Sequence, residues 1–276
     1  MILSCLPVSY FAELRRGTRS IEDFADEAWR LGLEAIDLSV LLLEQRSQEQ
    51  LTTLRSRIEG RGLFVNMISS YTDFTHPEAD VRSSQGDVLQ AAIRMAAALG
   101  GRLVRVTAGQ AHRGVSREQG IAWAARGLTE SLEYAREHGV RLVYENHSRP
   151  GVWERYDFSY PTEIFLELVE ATEGSELGVN FDTANTLAYG DDPLPVLEAV
   201  LERVVSIHAA DTKARGRLEP VLLGTGAVPF REIFRRLQRH GFDGPVSIEE
   251  ASNTGAAGFA AAVEFVRRIW SEEAQR

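Results

Sequence analysis

Apolar positions along the chain recur in two rhythms. Short β-branched runs alternate with longer stretches whose apolar residues fall three or four apart, and this alternation repeats along the sequence. The short runs are ILSCL at 2–6, AIDLS at 35–39, LFVNMI at 63–68, LVRVTA at 103–108, RLVYEN at 141–146, LGVNFD at 177–182, VVSIHA at 204–209 and PVSIEE at 245–250. Each predicts a strand. From Ser116 onward, Ile121, Ala125, Leu128, Leu132 and Ala135 form one helical stripe that stops at Gly139. Over 229–240 the stripe is Phe230, Ile233, Phe234 and Leu237, ending at Gly241, and from about Gly258 to Trp270 it is Phe259, Val263, Val266 and Ile269. Gly-Leu, Gly-Val and Gly-Phe pairs at 32–33, 62–63, 139–140 and 241–242 sit where a helix hands over to the next strand.

Eight strands, each followed by a helix, predict parallel βα units closed into a (β/α)8 TIM barrel, one domain over residues 1–276. An open doubly wound sheet is the alternative, but eight units in this length fit the barrel better. No Pro- or Ser-rich linker, close repeat or low-complexity segment interrupts the pattern.

A barrel of this kind builds its site at the C-terminal ends of the strands, so the residue closing each strand carries the information. Strands five to eight close on Glu145, Asp182, His208 and then Glu249 or Glu250. Alone, each has an ordinary explanation: a solvated or helix-capping acid, or a hydrogen-bonded structural histidine. Together on one rim they mean more. Crowded carboxylates repel one another unless a cation sits between them, and three hard oxygens with one imidazole suit Mn²⁺, Mg²⁺ or Co²⁺, with Zn²⁺ also admitted. Neighbours in a strand face opposite ways, and the residues before these four are Tyr144, Phe181, Ile207 and, if Glu249 is the inward one, Ile248. All would pack outward under the helices. Choosing Glu250 would turn Glu249 into that layer, so Glu249 is preferred. The same parity puts Asp37, Asn66, Arg105, Asn180, Ser206 and Ser247 inside, as a polar layer that supports the site.

Composition narrows the partners. The chain has 276 residues, 44% of them hydrophobic and 25% charged, which suits a globular fold with a sizeable core. A net charge of −10 argues against nucleic acid, whose binding draws on Lys and Arg, and favours a small-molecule substrate. Cys5 is the only cysteine, so an intramolecular disulfide and a thiolate zinc cluster are excluded. The start, MILSCLPVSYFAELRRG, has neither a basic leader nor a long apolar run, and a cytoplasmic location is expected. No apolar segment approaches the roughly 20 residues that span a bilayer, so no membrane partner is expected.

The series VYENH, NFDTAN, SIHAADTK and VSIEE, with GTGAVPF after the seventh strand, resembles the xylose isomerase-like TIM barrels, in particular the sugar isomerase and epimerase group that includes ketose 3-epimerases, hydroxypyruvate isomerase and inosose dehydratase. The second half of the chain carries the likeness; the first half shares only strand spacing. The resemblance implies one divalent metal held by Glu145, Asp182, His208 and Glu249, with room for two adjacent oxygens of a hydroxyketone. It also implies that Glu145 and Glu249 act as acid and base on opposite faces of the substrate carbon, through an enediolate. Inversion, aldose–ketose isomerisation and dehydration differ only in where the proton or the hydroxyl goes. Such proteins commonly pair through their helical faces, so a homo-oligomer is compatible with the likeness.

Around the metal, His147 would contact a substrate hydroxyl or carbonyl, or else bond its own loop. Asp211 lies where similar proteins often carry a substrate-binding or supporting acid. Lys213 is the only lysine in a chain that otherwise uses Arg, which is suggestive in a site loop although chance retention of a surface lysine accounts for it more simply, and Arg217 in the same loop has the fork to bind a carboxylate or phosphate or else is a solvated loop arginine. Trp153 and Tyr156 form an apolar wall or anchor their loop. Endonuclease IV-type phosphodiesterases share this barrel but hold three zinc ions with additional histidines. Here Asn185 stands where that pattern wants a histidine, and DTKARGRLEP lacks an Asp-x-His pair, leaving His76 and His112 as the points in its favour. A non-catalytic metabolite-binding barrel is the third reading.

Overall fold

The computed structural model describes residues 1–275. The apolar runs form β1 (Ile2–Leu6), β2 (Ala35–Ser39), β3 (Phe64–Ser69), β4 (Leu103–Val106), β5 (Arg141–Glu145), β6 (Gly178–Asp182), β7 (Val204–Ala209) and β8 (Pro245–Glu249). Every ladder is parallel, and the sheet runs β1-β8-β7-β6-β5-β4-β3-β2. Between β1 and β2 the ring closes without a ladder. There the Glu34 N–H donates to the Leu3 carbonyl at 3.1 Å, and Ser4 Oγ donates to Asp37 Oδ1 at 2.6 Å. With helices between the strands, this is the nearly closed (β/α)8 barrel that the alternation predicts.

Helix ends follow their glycines. Gly139 and Gly241 have φ of 69° and 80°, a left-handed turn that an L side chain resists, so the chain leaves the helix and starts the next strand there. The stripe from Ser116 differs from expectation. It is two helices, Arg117–Glu130 and Leu132–Glu137, broken at Ser131. Leu128, Leu132 and Ala135 keep their three- and four-residue spacing across the break, so periodicity is blind to it. The last helix is longer than its stripe, Gly255–Ala274. β4 is shorter than its run because bonding passes from backbone to side chains. Thr107 Oγ1 donates to the Thr72 carbonyl and Thr72 Oγ1 to the Thr107 carbonyl, each at 3.0 Å.

Parity sorts the strand residues as expected at the rim. Tyr144, Phe181, Ile207 and Ile248 are all buried in the layer between strands and helices, and the Tyr144 ring lies 5.4 Å from that of Phe165 in the helix Thr162–Ala171. Lower down, strict alternation fails twice. The β2–β3 register skips Asn66 and the β6–β7 register skips Val205, each an extra residue in its strand. As a result Asn66 donates to Asp37 Oδ1 at 3.0 Å while its neighbour Met67 packs with Leu103, Val143 and Val205. Among the described residues no helix is long and apolar enough to cross a membrane.

Candidate metal centre

Strand register brings the rim residues together. Asp182 of β6 is paired with His208 of β7, and Glu145 of β5 with Asn180 of β6. One donor atom from each of Glu145, Asp182, His208 and Glu249 lies within 4.8 Å of the others. Glu145, Asp182 and His208 are buried, whereas the Glu249 side chain is 28% exposed and faces the mouth of the barrel. His208 Nδ1 stands 2.6 Å from Glu145 Oε1 and 3.1 Å from Glu249 Oε2, but neither approach has hydrogen-bond geometry. Donor atoms converge here without bonding to one another.

The supporting residues come from the same strands. Asn180 Nδ2 donates to Glu145 Oε1 at 2.7 Å, and Ser206 Oγ donates to Asn180 Oδ1 at 2.7 Å. Asp182 Oδ1 accepts the N–H groups of Ala184 at 2.8 Å and Asn185 at 2.7 Å, where the helix Asn185–Tyr189 begins. On the far side of the imidazole, His208 Nε2 faces Asp37 Oδ2 at 3.9 Å. Arg105 Nε lies 3.2 Å from Glu145 Oε2, with both side chains buried. Parity places Arg105 inside; its contact with Glu145 itself has no signal in the sequence. Asn146 is the residue that sequence reasoning passed over. Parity turns it outward, yet its amide bonds the backbone of Asp182 on the next strand.

Charge is unbalanced within this group. Burial, followed by the charges of Glu249 and Glu145, pushes the Asp182 carboxyl well above the usual carboxylate range. Burial would also raise Glu145, but His208 and Arg105 outweigh it and hold its carboxyl down at about 2. For His208, burial opposes the charged form, while Glu145 and Glu249 overrule it and raise the imidazole well above its ordinary value. Among the described residues, Glu145 Oε2 and both ring nitrogens of His208 are buried without a hydrogen-bond partner. Three crowded carboxylates and one imidazole with unspent lone pairs are the donor set of a hard divalent cation, and the residues fit such an ion.

Glu250, the alternative to Glu249, is fully buried and belongs to the scaffold. Its carboxylate accepts the hydroxyls of Ser9 and Ser252 and the Ser252 N–H, and its carbonyl accepts the Ser9 N–H at 2.9 Å. It therefore ties the loop after β1 to the loop after β8.

The remaining sequence candidates separate. His147 Nε2 is 3.9 Å from Glu145 Oε2, beside the Trp153 ring at 6.4 Å, and burial and then Arg105 push its imidazole down to about 4. Asp211 is buried with its carboxylate spent on its own loop, accepting the N–H groups of Gly224 and Gly226 at 2.9 Å and Val228 at 3.2 Å. Lys213 pairs with Glu219 at 2.7 Å and Arg217 approaches the same carboxylate at 3.8 Å, both on the exposed part of that loop. No hydrogen bond or ion pair among the described residues joins these three to the four converging donors. Tyr156 is half-exposed and stacks on Tyr160 at 4.9 Å. His76 and His112 meet each other, with ring centroids 4.8 Å apart, and His112 Nε2 bonds Asp73 at 2.8 Å.

Known proteins resemble this chain along most of its length. Residues 25–269 match the sequence profile of the xylose isomerase-like TIM barrel. An inosose dehydratase of Lacticaseibacillus casei is 25% identical over 149 residues, 48% of this chain and 48% of that protein, so the chain spans about half the length of the first curated relatives it matches. An L-ribulose-5-phosphate 3-epimerase of Escherichia coli is 26% identical over 238 residues, 81% of this chain and 80% of that one. The crystal structure of D-psicose 3-epimerase with D-tagatose, from Clostridium cellulolyticum H10, superposes with a TM-score of 0.80 at 14% identity, over 98% of this chain and 99% of that one. At that identity it shows a shared fold.

Proposed function

The chain belongs to the xylose isomerase-like TIM barrel family, and from that premise we propose that it is a divalent-metal-dependent sugar isomerase or epimerase working through an enediolate. The observation that carries the reading is the convergence of Glu145, Asp182, His208 and Glu249 within 4.8 Å at the barrel mouth. These residues would hold one divalent ion, Mn²⁺, Mg²⁺ or Co²⁺ by donor hardness, with Zn²⁺ admitted. A divalent ion held by these four residues would supply Lewis-acid chemistry, polarising a substrate carbonyl and favouring loss of the neighbouring proton.

The protein's own groups do the rest. Glu145 and Glu249, the second of them the more open to the barrel mouth, would carry the proton off and onto an arriving hydroxyketone. Arg105, Asn180 and Asn146 keep the donors in place, and His147 with Trp153 borders the site on the Glu145 side. The names of the relatives, an epimerase of a ketose phosphate and a dehydratase of an inosose, support a sugar substrate.

The test is exchange of an α-proton with D₂O, followed by NMR, for Mg²⁺-loaded protein against a panel of ketoses, ketose phosphates and inososes. Absence of exchange across the panel, with metal bound, sinks the reading. Dehydration on the same site is the second reading, favoured by the inosose dehydratase likeness; a product lighter by one water would identify it.

A further inference from the structure

The barrel has a second end. β5 runs from Arg141 to Glu145, and where it and β4 begin, away from the metal donors, lies a cavity of about 470 Å³. Its charged lining is Arg102, Arg136, Arg141 and Glu176, with Leu132 and Val140 as an apolar wall. Three guanidiniums against one carboxylate stand out in a chain of net charge −10.

Strand pairing sets two of these arginines side by side. Leu103 is paired with Arg141, and the Arg141 N–H donates to the Arg102 carbonyl at 3.0 Å. Each side chain is seated without an acid. The Arg102 guanidinium carbon lies 4.4 Å from the centre of the Phe64 ring, which attracts the cation through its face. Arg141 Nε lies 3.3 Å from where a side chain at Gly178 would begin, so a glycine at the start of β6 makes room for it. Arg136, by contrast, is committed to Glu133, its Nε donating to Oε2 at 3.0 Å. Among the described residues neither the Arg102 nor the Arg141 guanidinium forms an ion pair or a hydrogen bond. A further cation stands close by. Arg203 donates to the Leu177 carbonyl at 2.7 Å and the Thr172 hydroxyl at 3.1 Å. Burial lowers its guanidinium from the ordinary value; Glu173 opposes this, and the Arg141 charge adds to it.

We propose that this cavity is a second binding site, which takes a small phosphorylated molecule. Arg102 and Arg141 are the groups that hold the phosphate, because a guanidinium fork matches two phosphate oxygens and a dianion has oxygens for both forks. A bare phosphate leaves most of the space unused, so the organic part of the molecule lies against Leu132 and Val140. Being at the opposite end of β5 from Glu145, this ligand is distinct from the substrate of the barrel mouth. The inference uses neither the metal donors nor any reaction, and it stands or falls apart from the sugar reading.

The probe is phenyl phosphate, which joins a phosphate to an apolar ring, titrated into the protein as purified and followed by saturation-transfer NMR. Wild type is expected to show saturable binding with Kd of about 1 mM or tighter. The double variant Arg102→Gln, Arg141→Gln loses two charge-assisted contacts and should bind at least about tenfold more weakly. Arg126→Gln with Arg239→Gln removes the same charge from two exposed helix positions and should stay within about twofold of wild type. Arg102→Lys with Arg141→Lys keeps the charge and loses the forks, so its affinity should fall between wild type and R102Q/R141Q even if the glutamine variant is less stable. No saturable binding up to about 10 mM overturns the proposal. So does an equal loss in R126Q/R239Q, which means diffuse attraction to a cationic surface, and so does undiminished binding to R102Q/R141Q, which puts the phosphate elsewhere.

Discussion

Asn146 grips the backbone of Asp182 on both sides: its Nδ2 donates to the Asp182 carbonyl at 2.9 Å and its Oδ1 accepts the Asp182 N–H at 2.7 Å. One residue past the end of β5, a side-chain amide thus replaces the next rung of the β5–β6 ladder, and it reaches Thr186 Oγ1 at 3.2 Å as well. Asn146→Leu removes these bonds and strands the polar backbone of a buried residue. The expected cost is about 2–4 kcal/mol in urea unfolding of the metal-free protein. Metal affinity should fall in the same variant, because Asp182 loses its anchor.

Protein purified without chelator is expected to carry one divalent ion per chain by elemental analysis, and Glu145→Gln or His208→Ala to lose it. An ion present at about a thousand times its Kd stabilises the folded state by about 4 kcal/mol, so chelation should lower Tm by about 10 °C in a chain of this size. Close to three zinc ions per chain would instead favour the phosphodiesterase chemistry, and no metal even after reconstitution would leave a polar barrel rim.

Asp157, which is not one of the four converging donors, sets a pH dependence of its own. It is fully buried, its Oδ1 accepts the Ser159 N–H at 2.8 Å and the Ser159 hydroxyl at 2.7 Å, and burial above all pushes its carboxyl from 3.8 up to about 7. A raised folded-state value means that the folded chain holds a proton the unfolded chain has released. Below pH 4 both states are protonated and nothing is lost; from about pH 4 to pH 7 stability falls as pH rises, by roughly 1.4 kcal/mol per unit. Asp157→Asn keeps the acceptor and cannot ionise. Its stability relative to wild type should therefore climb by up to about 4 kcal/mol across that window and level off above it. A flat difference between pH 4.5 and 7.5 would show that Asp157 is ionised in the folded protein.

Two glycines of the helix Arg117–Glu130 seat rings from loops that flank the mouth. A methyl added at Gly120 would overlap the Phe158 ring, from the loop after β5, and one at Gly127 would overlap Phe74, from the loop after β3. Alanine ordinarily stabilises a helix interior by about 1 kcal/mol over glycine. Here overpacking wins, and Gly120→Ala should destabilise by about 1–3 kcal/mol. Adding Phe158→Leu to Gly120→Ala should recover part of that loss, which a thermal double-mutant cycle reads directly.

The eight strands and the barrel are legible in the sequence because a parallel sheet buried on both faces needs an apolar run in every strand, whatever its neighbours are. Alternation within one strand is equally local. It separates Glu249, which joins the converging donors, from Glu250, which is tied to Ser9 and Ser252, and it sends Tyr144, Phe181, Ile207 and Ile248 outward. The extra residues Asn66 and Val205 escape it, since a bulge exists only relative to the partner strand.

Polar partners are decided by the tertiary structure. Asp211 falls at a suggestive spacing after His208, yet the return of residues 224–228 brings three N–H groups onto its carboxylate. Lys213 stands out by composition and ends on an exposed ion pair with Glu219. Arg105 and Glu145 lie 40 positions apart and meet because β4 and β5 are adjacent in the barrel. Hydrophobic period is a property of one element and its burial, so the amino-acid order alone determines it. Which oxygen a guanidinium or an amide finally faces depends on how all eight strands close, and that closure is what makes Glu145 and Glu249 unequal.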